Sequence, residues 1–269
     1  MSDLPAAFIT RPATRFSTTS PEPQACHFAL AEETPLSLRY NTMQYAVMMV
    51  TAQDIEDFCF GFSITEGIIA TRTEIKSIIV GQEDGYLTAD LRIPAEPFHL
   101  LMQASRRMVV GRTGCGVCGT AEAEQILRPL PALSAGASTS LAAIRRALAD
   151  LAEHQQLNKT VKMVHAAAWC SADGSILTVR EDVGRHNALD KLIGSRLRAE
   201  EEFGEGFCLL TSRCSYEMVQ KASLAGIRTL VSISAPTDLA LRMAQKAGMT
   251  IVAIARPDSQ ILFAGSLTA

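Results

Sequence analysis

Apolar and polar positions along the first half of the chain predict strands joined by turns, with a helix between them. Two strands around an Asn-containing turn are predicted over 33–50, and a β-hairpin is predicted over 75–93. Between them, apolar residues recur with helical spacing over 55–62, and Thr51 is the candidate N-cap. A second helix is predicted over 97–107. This half of the chain therefore has an α+β pattern.

The second half has a different pattern. A helix is predicted over 141–155, followed by a hairpin around the turn at 171–175. After this hairpin, short apolar strands alternate with helices of about a dozen residues, which is typical of βαβ units around a buried parallel sheet. Right-handed crossovers bring every strand-to-helix loop in such a sheet to the same edge.

A shift in composition separates the two halves. The segment 129–140 consists of small, uncharged residues with two prolines, and it is the predicted domain boundary. It divides an N-terminal α+β subdomain over 33–128 from a C-terminal α/β domain over 141–269. Residues 1–32 are predicted to be a flexible N-terminal arm.

Composition and charge narrow the classes of protein that fit. The 269 residues are 48% hydrophobic, which indicates folded domains rather than disorder. A net charge of −3 disfavours binding to nucleic acid through a general positive field, but it permits a local anion pocket. No apolar run is long enough to span a membrane and no signal-peptide core is present, so a cytoplasmic protein without membrane association is predicted. Seven scattered cysteines indicate reduced thiols rather than a disulfide framework.

The sharpest local motif is Cys115-Gly116-Val117-Cys118. It lies in a segment, 111–119, that has four glycines among nine residues. Such a loop can move and can adopt positive φ. A helix is predicted to begin directly after it, and Arg112 lies nearby. A helix N-terminus and a cation both lower the pKa of a thiol, so a nucleophilic thiolate is expected here.

Three interpretations of this Cys-x-x-Cys motif remain open. A structural zinc site needs four ligands, and the sequence has no second Cys-x-x-Cys and no clustered Cys/His pair. A dithiol/disulfide pair would carry electrons. A sulfur-relay thiol would carry a persulfide on the mobile loop. The two functional interpretations both need an exposed, activated cysteine, and no permanent metal is expected.

Polar and basic residues follow the strand ends of the second half. The segment 182–187 joins a strand to a helix, where free N–H groups and the helix dipole favour an anion. Three further loops, at 211–215, 234–238 and 256–259, follow predicted parallel strands. We call these four segments the rim. A phosphate-bearing or nucleotide ligand suits it, although the sequence has no Walker A or GxGxxG motif. The candidate ligand-binding residues are Arg185, His186, Asn187, Ser212, Arg213 and Arg256.

Several other residues are interpreted more plainly. The rim segment at 182–187 also fits an ordinary capped helix with surface charges, but its density of polar residues favours a site. His165 and the cysteines outside the Cys-x-x-Cys motif are predicted to be packing or surface residues. Cys214 is the exception, because it lies in a polar rim loop.

Six motifs together resemble the formate dehydrogenase accessory protein family (FdhD), a family of sulfurtransferases. The longest and most specific of them is REDVGRHNALDKLIG at 180–194. The others are ITEGII at 64–69, GCGVCG at 114–119, HAAAW at 165–169, SYEMVQKASLAGI at 215–227 and VSISAPT at 231–237.

The resemblance implies a fold and a function. The fold is α/β, a cytidine deaminase-like three-layer sheet with an added N-terminal subdomain, in a homodimer. Sulfur would pass from a cysteine desulfurase to the Mo-bis(molybdopterin guanine dinucleotide) cofactor, bound as cargo, for use by a molybdenum- or tungsten-dependent formate dehydrogenase. The persulfide would form on Cys115, with Cys118 assisting. Guanine nucleotide recognition would fall on Ile254, Ala255, Arg256, Pro257, Asp258 and Ser259.

Two alternatives are weighed against this function. A cofactor-binding chaperone without sulfur transfer would need the rim but not the cysteines. A zinc deaminase would need His-x-Glu together with Pro-Cys-x-x-Cys. Gly114 stands where that proline belongs, and neither His165 nor His186 is followed two residues later by Glu, so the deaminase is disfavoured.

Overall fold

A computed structural model describes residues 4–107, 130–133 and 139–268 of the chain. In these residues the fold is mixed α/β, with three separate sheets and helices packed against two of them. Half of the predicted boundary at 129–140 and the whole Cys-x-x-Cys segment lie outside the described residues. Within the described ranges, no helix combines the length and apolarity needed to cross a membrane.

The strands and helices predicted from the sequence over 33–107 and after residue 140 are confirmed. The strands are β1 (Phe8–Ser17), β2 (Ser20–Ala31), β3 (Thr34–Tyr40), β4 (Met43–Val50), β5 (Ser77–Glu83), β6 (Tyr86–Arg92), β7 (His165–Ser171), β8 (Ile176–Asp182), β9 (Gly206–Leu210), β10 (Thr229–Ser232), β11 (Thr250–Ala253) and β12 (Ile261–Ala264). The helices are α1 (Ile55–Thr65), α2 (Ala95–Arg107), α3 (Leu141–His154), α4 (Gln156–Val161), α5 (Arg185–Arg198), α6 (Tyr216–Leu224) and α7 (Asp238–Ala247), with a short 3₁₀ turn at Arg72–Glu74.

The N-terminal sheet has four strands in the order β4-β3-β6-β5. Strands β3 and β6 are parallel, and the two outer pairs are antiparallel. One face of the sheet is covered by α1 and α2, which bury Phe58 and Leu101 against Leu38 and Leu91. This face forms the core of the subdomain.

Thr51 does not cap α1, so that prediction is wrong. The helix begins later, at Ile55, and its N-cap is Asp54 in a left-handed conformation without a side-chain cap. Thr51 instead binds the C-terminal domain: its N–H donates to Oδ2 of Asp182 over 2.9 Å, and its hydroxyl accepts from the N–H of Val183 over 3.1 Å. The segment at Asp182 and Val183, distant in sequence, therefore binds a residue that the local pattern predicts to be a cap.

Residues 8–31 form an antiparallel hairpin of β1 and β2 where the sequence analysis expected a flexible arm. Strand pairing satisfies the backbone of this segment even though most of its side chains are exposed. Only its base is packed, where Ala29 and Ala31 lie against Leu157 and Val161 of α4.

The C-terminal sheet has six strands in the order β12-β11-β10-β9-β7-β8, of which β9, β10 and β11 are parallel. Its side chains alternate between two cores, as the period of a strand requires. Ala168 and Leu209 pack against α3 on one face. Ala167 and Leu210 pack against α5, α6 and α7 on the other. The domain therefore has three layers.

The two parts of the chain meet where α1 crosses α5. A Cβ atom at Gly61 would lie 1.8 Å from the carbonyl oxygen of Asp190, and one at Gly194 would lie 1.7 Å from that of Asp57. Only glycine permits this close approach of the two helix backbones. As a result α5 is buried on nearly all sides, from Asn187 to Arg196.

Candidate functional site

Strand direction brings the rim together. Because β9, β10 and β11 are parallel, the loops at 211–215, 234–238 and 254–259 leave the sheet at one edge. Strand β7 runs antiparallel to both β8 and β9, so His165 at its start and the segment 182–187 after β8 lie at the same edge. The sheet topology therefore agrees with the predicted convergence of these loops.

Main-chain hydrogen bonds join neighbouring rim loops. The N–H of Cys214 donates to the carbonyl of Ala235 over 3.2 Å, and the N–H of Thr237 donates to the carbonyl of Cys214 over 3.0 Å. The N–H of Ile254 donates to the carbonyl of Ser234 over 3.1 Å. The rim is therefore one connected surface whose backbone is fixed by the sheet beneath it.

Basic side chains from two elements meet at this edge. Arg185 and His186 form the start of α5, and Arg213 follows β9. His165 is half-buried, and this burial lowers the pKa of its imidazole. The charges of Arg185, His186 and Arg213 lower that pKa further. The sequence analysis assigned His165 to packing, but the structure brings it to the rim.

Glu217, in the first turn of α6, is the carboxylate of this cluster. Its Oε2 lies 2.9 Å from Nε2 of His186 and 4.0 Å from Nη2 of Arg185. Burial alone would raise the pKa of Glu217, but His186 and Arg185 outweigh it and lower that pKa below its usual range. The sequence analysis did not select Glu217; the available signal was a Ser-x-Glu sequence at a helix start beside the rim.

Three buried polar atoms in this cluster have no hydrogen-bond partner in the described part of the chain. They are Nε of Arg185, Nε2 of His186 and Oε1 of Glu217. The 2.9 Å contact between His186 and Glu217 is thus an ion contact without the alignment of a hydrogen bond. Buried polar groups are normally satisfied by protein, water or a ligand, so three orphaned atoms at one place indicate a binding site.

The starts of two helices point at the same cluster. The N-cap residues of α5 and α6 are Gly184 and Ser215, and neither provides a side-chain hydrogen bond to its helix. The dipoles of both helices favour an anion at these starts. They complement the charges of Arg185 and Arg213.

The loop after β11 begins with a strained residue. Ile254 has a φ of 49°, a left-handed conformation that a β-branched residue rarely adopts. Its neighbour Ala255 is buried and donates its N–H to the carbonyl of Ser232 over 3.0 Å. The next four residues are exposed at the rim, and they are Arg256, Pro257, Asp258 and Ser259. Strain of this kind concentrates at functional sites, where the surrounding structure holds it in place.

Two predicted rim residues have their polar groups turned inward. The Asn187 amide donates to the carbonyl of Met49 over 2.7 Å and to Oδ1 of Asp182 over 2.8 Å. Ser212 is buried, and its carbonyl accepts from the Ser232 hydroxyl over 2.6 Å. The structure therefore places Asn187 and Ser212 in support of the rim, beneath its open surface.

Charged residues of α5 form buried ion pairs with residues of β8 and α6. Asp182 and Lys191 are fully buried with 2.7 Å between Oδ2 and Nζ, and Lys191 also donates to the carbonyl of Thr51 over 2.9 Å. Lys221 lies 2.9 Å from the buried Asp190. Burial lowers the pKa of Lys221, but the neighbouring carboxylates outweigh it and raise that pKa above its usual value. These pairs tie α5 to both parts of the fold.

Of the five cysteines within the described residues, four are buried and Cys26 is partly exposed. Burial raises the pKa of Cys214 to about 12 and that of Cys170 to about 12, which keeps both thiols protonated. Cys115 and Cys118 lie outside the described residues, so their roles stay a prediction. In the parts of the chain that the structure covers, no three His, Cys, Asp or Glu side chains are grouped to hold a metal ion.

Comparison with known proteins gives one consistent family. The FdhD/NarQ family model matches residues 31–268. Proteins named "Sulfur carrier protein FdhD" from Variovorax paradoxus and Cupriavidus necator are 42% and 41% identical, each over 87% of this chain, covering 84% and 81% of their own lengths. The crystal structure of a candidate formate dehydrogenase accessory protein from Desulfotalea psychrophila superposes with a TM-score of 0.76 at 24% identity, covering 96% of this chain and 97% of its own. The chain therefore belongs to the FdhD/NarQ family.

Proposed function

We propose that this protein is a sulfur carrier that accepts persulfide sulfur from a cysteine desulfurase. It passes the sulfur to the bis(molybdopterin guanine dinucleotide) cofactor during maturation of a formate dehydrogenase. The observation that carries the proposal is the cationic rim with three orphaned buried polar atoms, in a chain whose relatives are named sulfur carriers.

The rim supports binding of the cofactor as cargo. The nucleotide halves of the cofactor carry phosphates. Arg185, Arg213 and Arg256 of the rim offer charge-assisted hydrogen bonds to such groups. The helix dipoles at the starts of α5 and α6 add an attraction for phosphate that needs no side chain. Ile254–Ser259 is the proposed guanine-recognition segment.

The sulfur chemistry is assigned to the Cys-x-x-Cys motif. The Cys115 thiolate attacks the terminal sulfur of the desulfurase persulfide, so one S–S bond forms as another breaks and the desulfurase leaves as a thiolate. When the cofactor is bound as cargo, attack of the Cys118 thiolate on the Cys115 sulfur releases the terminal sulfur as sulfide to the cofactor and leaves a Cys115–Cys118 disulfide. The two electrons come from the thiolates, and a dithiol reductant restores them.

The layers of the C-terminal domain support the proposal that its fold is cytidine deaminase-like. Deaminase chemistry is not part of the proposal. A six-stranded sheet between α3 and the α5–α7 layer agrees with the three-layer architecture expected of that class. The sequence lacks the His-x-Glu and Pro-Cys-x-x-Cys signature that a zinc deaminase needs. A cofactor chaperone that transfers no sulfur remains the competing function.

A homodimer is part of the proposal. The free face of the β1–β2 hairpin carries an apolar stripe of Ile9, Ala13, Cys26, Phe28 and Leu30, interrupted by Arg11 opposite Phe28, and Phe28 and Leu30 are 41% and 44% exposed. A hairpin unsupported on one face is marginally stable in water. At about 3.3 Å per residue the face covers about 400 Å², so docking of two arms face to face buries about 800 Å², and a stable interface of about 1,200–2,000 Å² needs further surface from the body of each protomer.

The test separates binding from sulfur transfer. Removal of one charge-assisted contact costs about 1.5–3 kcal/mol, so Arg213→Ala should weaken binding of GDP, a fragment of the cofactor, roughly 10- to 150-fold. Persulfide loading should persist in that variant. Cys115→Ala should keep GDP binding and lose activation of the target dehydrogenase in a reconstitution assay. Arg146→Ala, which removes the ion pair with Asp173 in the turn after β7, is the matched control and should change neither property.

Full dehydrogenase activation by Cys115→Ala would favour the chaperone over the sulfur carrier. Unchanged GDP affinity in Arg213→Ala would remove Arg213 from the binding surface.

A further inference from the structure

The environment of His165 is unusual for a half-buried imidazole. Basic residues from two elements lie at the same sheet edge as His165: Arg185 and His186 at the start of α5, and Arg213 in the loop after β9. The acidic group facing it is Asp182, which lies opposite it across the β7–β8 pair. Asp182 is already engaged by Lys191 at 2.7 Å.

Partial burial of His165 lowers the pKa of its imidazole, and the positive charges of Arg185 and Arg213 lower it further because they disfavour another positive charge there. Glu217 belongs to the same cluster, and its Oε2 lies 2.9 Å from Nε2 of His186.

An anion on the rim reverses this balance. A pyrophosphate group in contact with Arg185 and Arg213 cancels their positive charge, and the imidazolium form of His165 then gains an attractive partner. The Nε of Arg185 has no hydrogen-bond partner within the described residues and its Nη2 lies 4.0 Å from Glu217, so this guanidinium keeps donors for such a group.

We propose that binding of a pyrophosphate-bearing ligand to the rim is linked to uptake of a proton by His165. This inference rests on the proposed function, because it assumes that the rim holds the nucleotide part of the cofactor. It adds a role for a residue that sequence pattern assigns to packing. Binding then strengthens as pH falls, because protonated His165 favours the bound state.

Calorimetry measures the proton directly. The probe is GDP-mannose, a guanosine pyrophosphate diester whose own charge is constant over the pH range used. Titrations near pH 7 in buffers of different ionisation enthalpy should give an observed enthalpy that depends linearly on that enthalpy, with a slope of about 0.5 to 1 proton taken up. As pH rises, the affinity should fall by up to about tenfold per pH unit. This fall is expected over the range between the pKa of His165 in the free protein and its pKa in the bound protein.

Two variants identify the group that takes up the proton. His165→Asn should still bind GDP-mannose, with a proton uptake close to zero. His154→Asn, at the end of α3, is the matched control and should keep the wild-type uptake. The NMR signal of the His165 ring, assigned in the wild-type protein through its correlations to the backbone, should titrate at higher pH in the presence of GDP-mannose than in its absence.

Three results would overturn the inference. Wild-type binding without proton uptake contradicts it while leaving the proposed function intact. Equal uptake in wild type and His165→Asn assigns the proton elsewhere. If His165→Asn does not fold or bind, the ring titration in the wild-type protein decides alone, and an unchanged midpoint contradicts the linkage. Failure of wild type to bind GDP-mannose at all contradicts both this inference and the proposed role of the rim.

Discussion

At the scale of single residues, the motif at 180–194 contains residues with two different roles. Arg185 and His186 line the rim, whereas Asp182, Asn187 and Lys191 hold the start of α5 in place through buried polar contacts. A chemically dense sequence segment can thus mark both a site and its support. The sequence alone cannot separate the two, because each residue type serves either purpose.

The buried Asp182–Lys191 pair gives the first stability prediction. Both side chains are fully buried, so Asp182→Asn leaves an unpaired buried ammonium and should lower the free energy of unfolding by about 3–5 kcal/mol. Chemical denaturation measures the change. Asp238→Asn breaks an exposed ion pair with Arg242 and should cost at most about 1 kcal/mol. Equal costs for the two variants would show that the buried pair is not critical.

At the scale of elements, periodicity located nearly every strand and helix because buried faces impose a regular spacing. It also predicted that β9, β10 and β11 are parallel and that their loops converge. It failed at Thr51, where a distant carboxylate competes with local capping. It also missed His165 and Glu217, since their surroundings come from elements far apart in sequence.

The crossing of α1 and α5 gives the second stability prediction. A Cβ at Gly194 would lie 1.7 Å from the Asp57 carbonyl oxygen and 2.7 Å from the backbone nitrogen of Gly61. Gly194→Ala should therefore force the helices apart and lower the free energy of unfolding by at least about 1–3 kcal/mol. Gly204→Ala, where a Cβ would meet open space, is the control for thermal unfolding. Similar stability of the two variants would refute the close helix contact.

At the scale of the whole molecule, three bodies serve different tasks in this account. The three-layer domain carries the rim, α1 of the four-stranded subdomain braces α5, and the hairpin projects an apolar face. The N-terminal boundaries could not be fully predicted, because the first strands bury few side chains and leave a weak pattern. The family resemblance provided the function that pattern alone left open.

The hairpin gives a prediction about assembly. Phe28→Glu places a charge on the exposed apolar stripe and should convert the proposed dimer to a monomer in sedimentation velocity. Thr14→Glu lies on the opposite face of the same hairpin and should leave the dimer unchanged. A Phe28→Glu protein that sediments as a dimer would assign the interface to another surface.

The central claim is that the protein carries sulfur on its Cys-x-x-Cys motif. The most direct test is intact and peptide mass spectrometry after incubation with a cysteine desulfurase and cysteine. We expect a gain of one sulfur atom on the peptide that contains Cys115 and Cys118, removed by a thiol reductant. A double Cys115→Ala, Cys118→Ala variant should gain none. Equal sulfur loading of that variant and the wild-type protein would contradict the account.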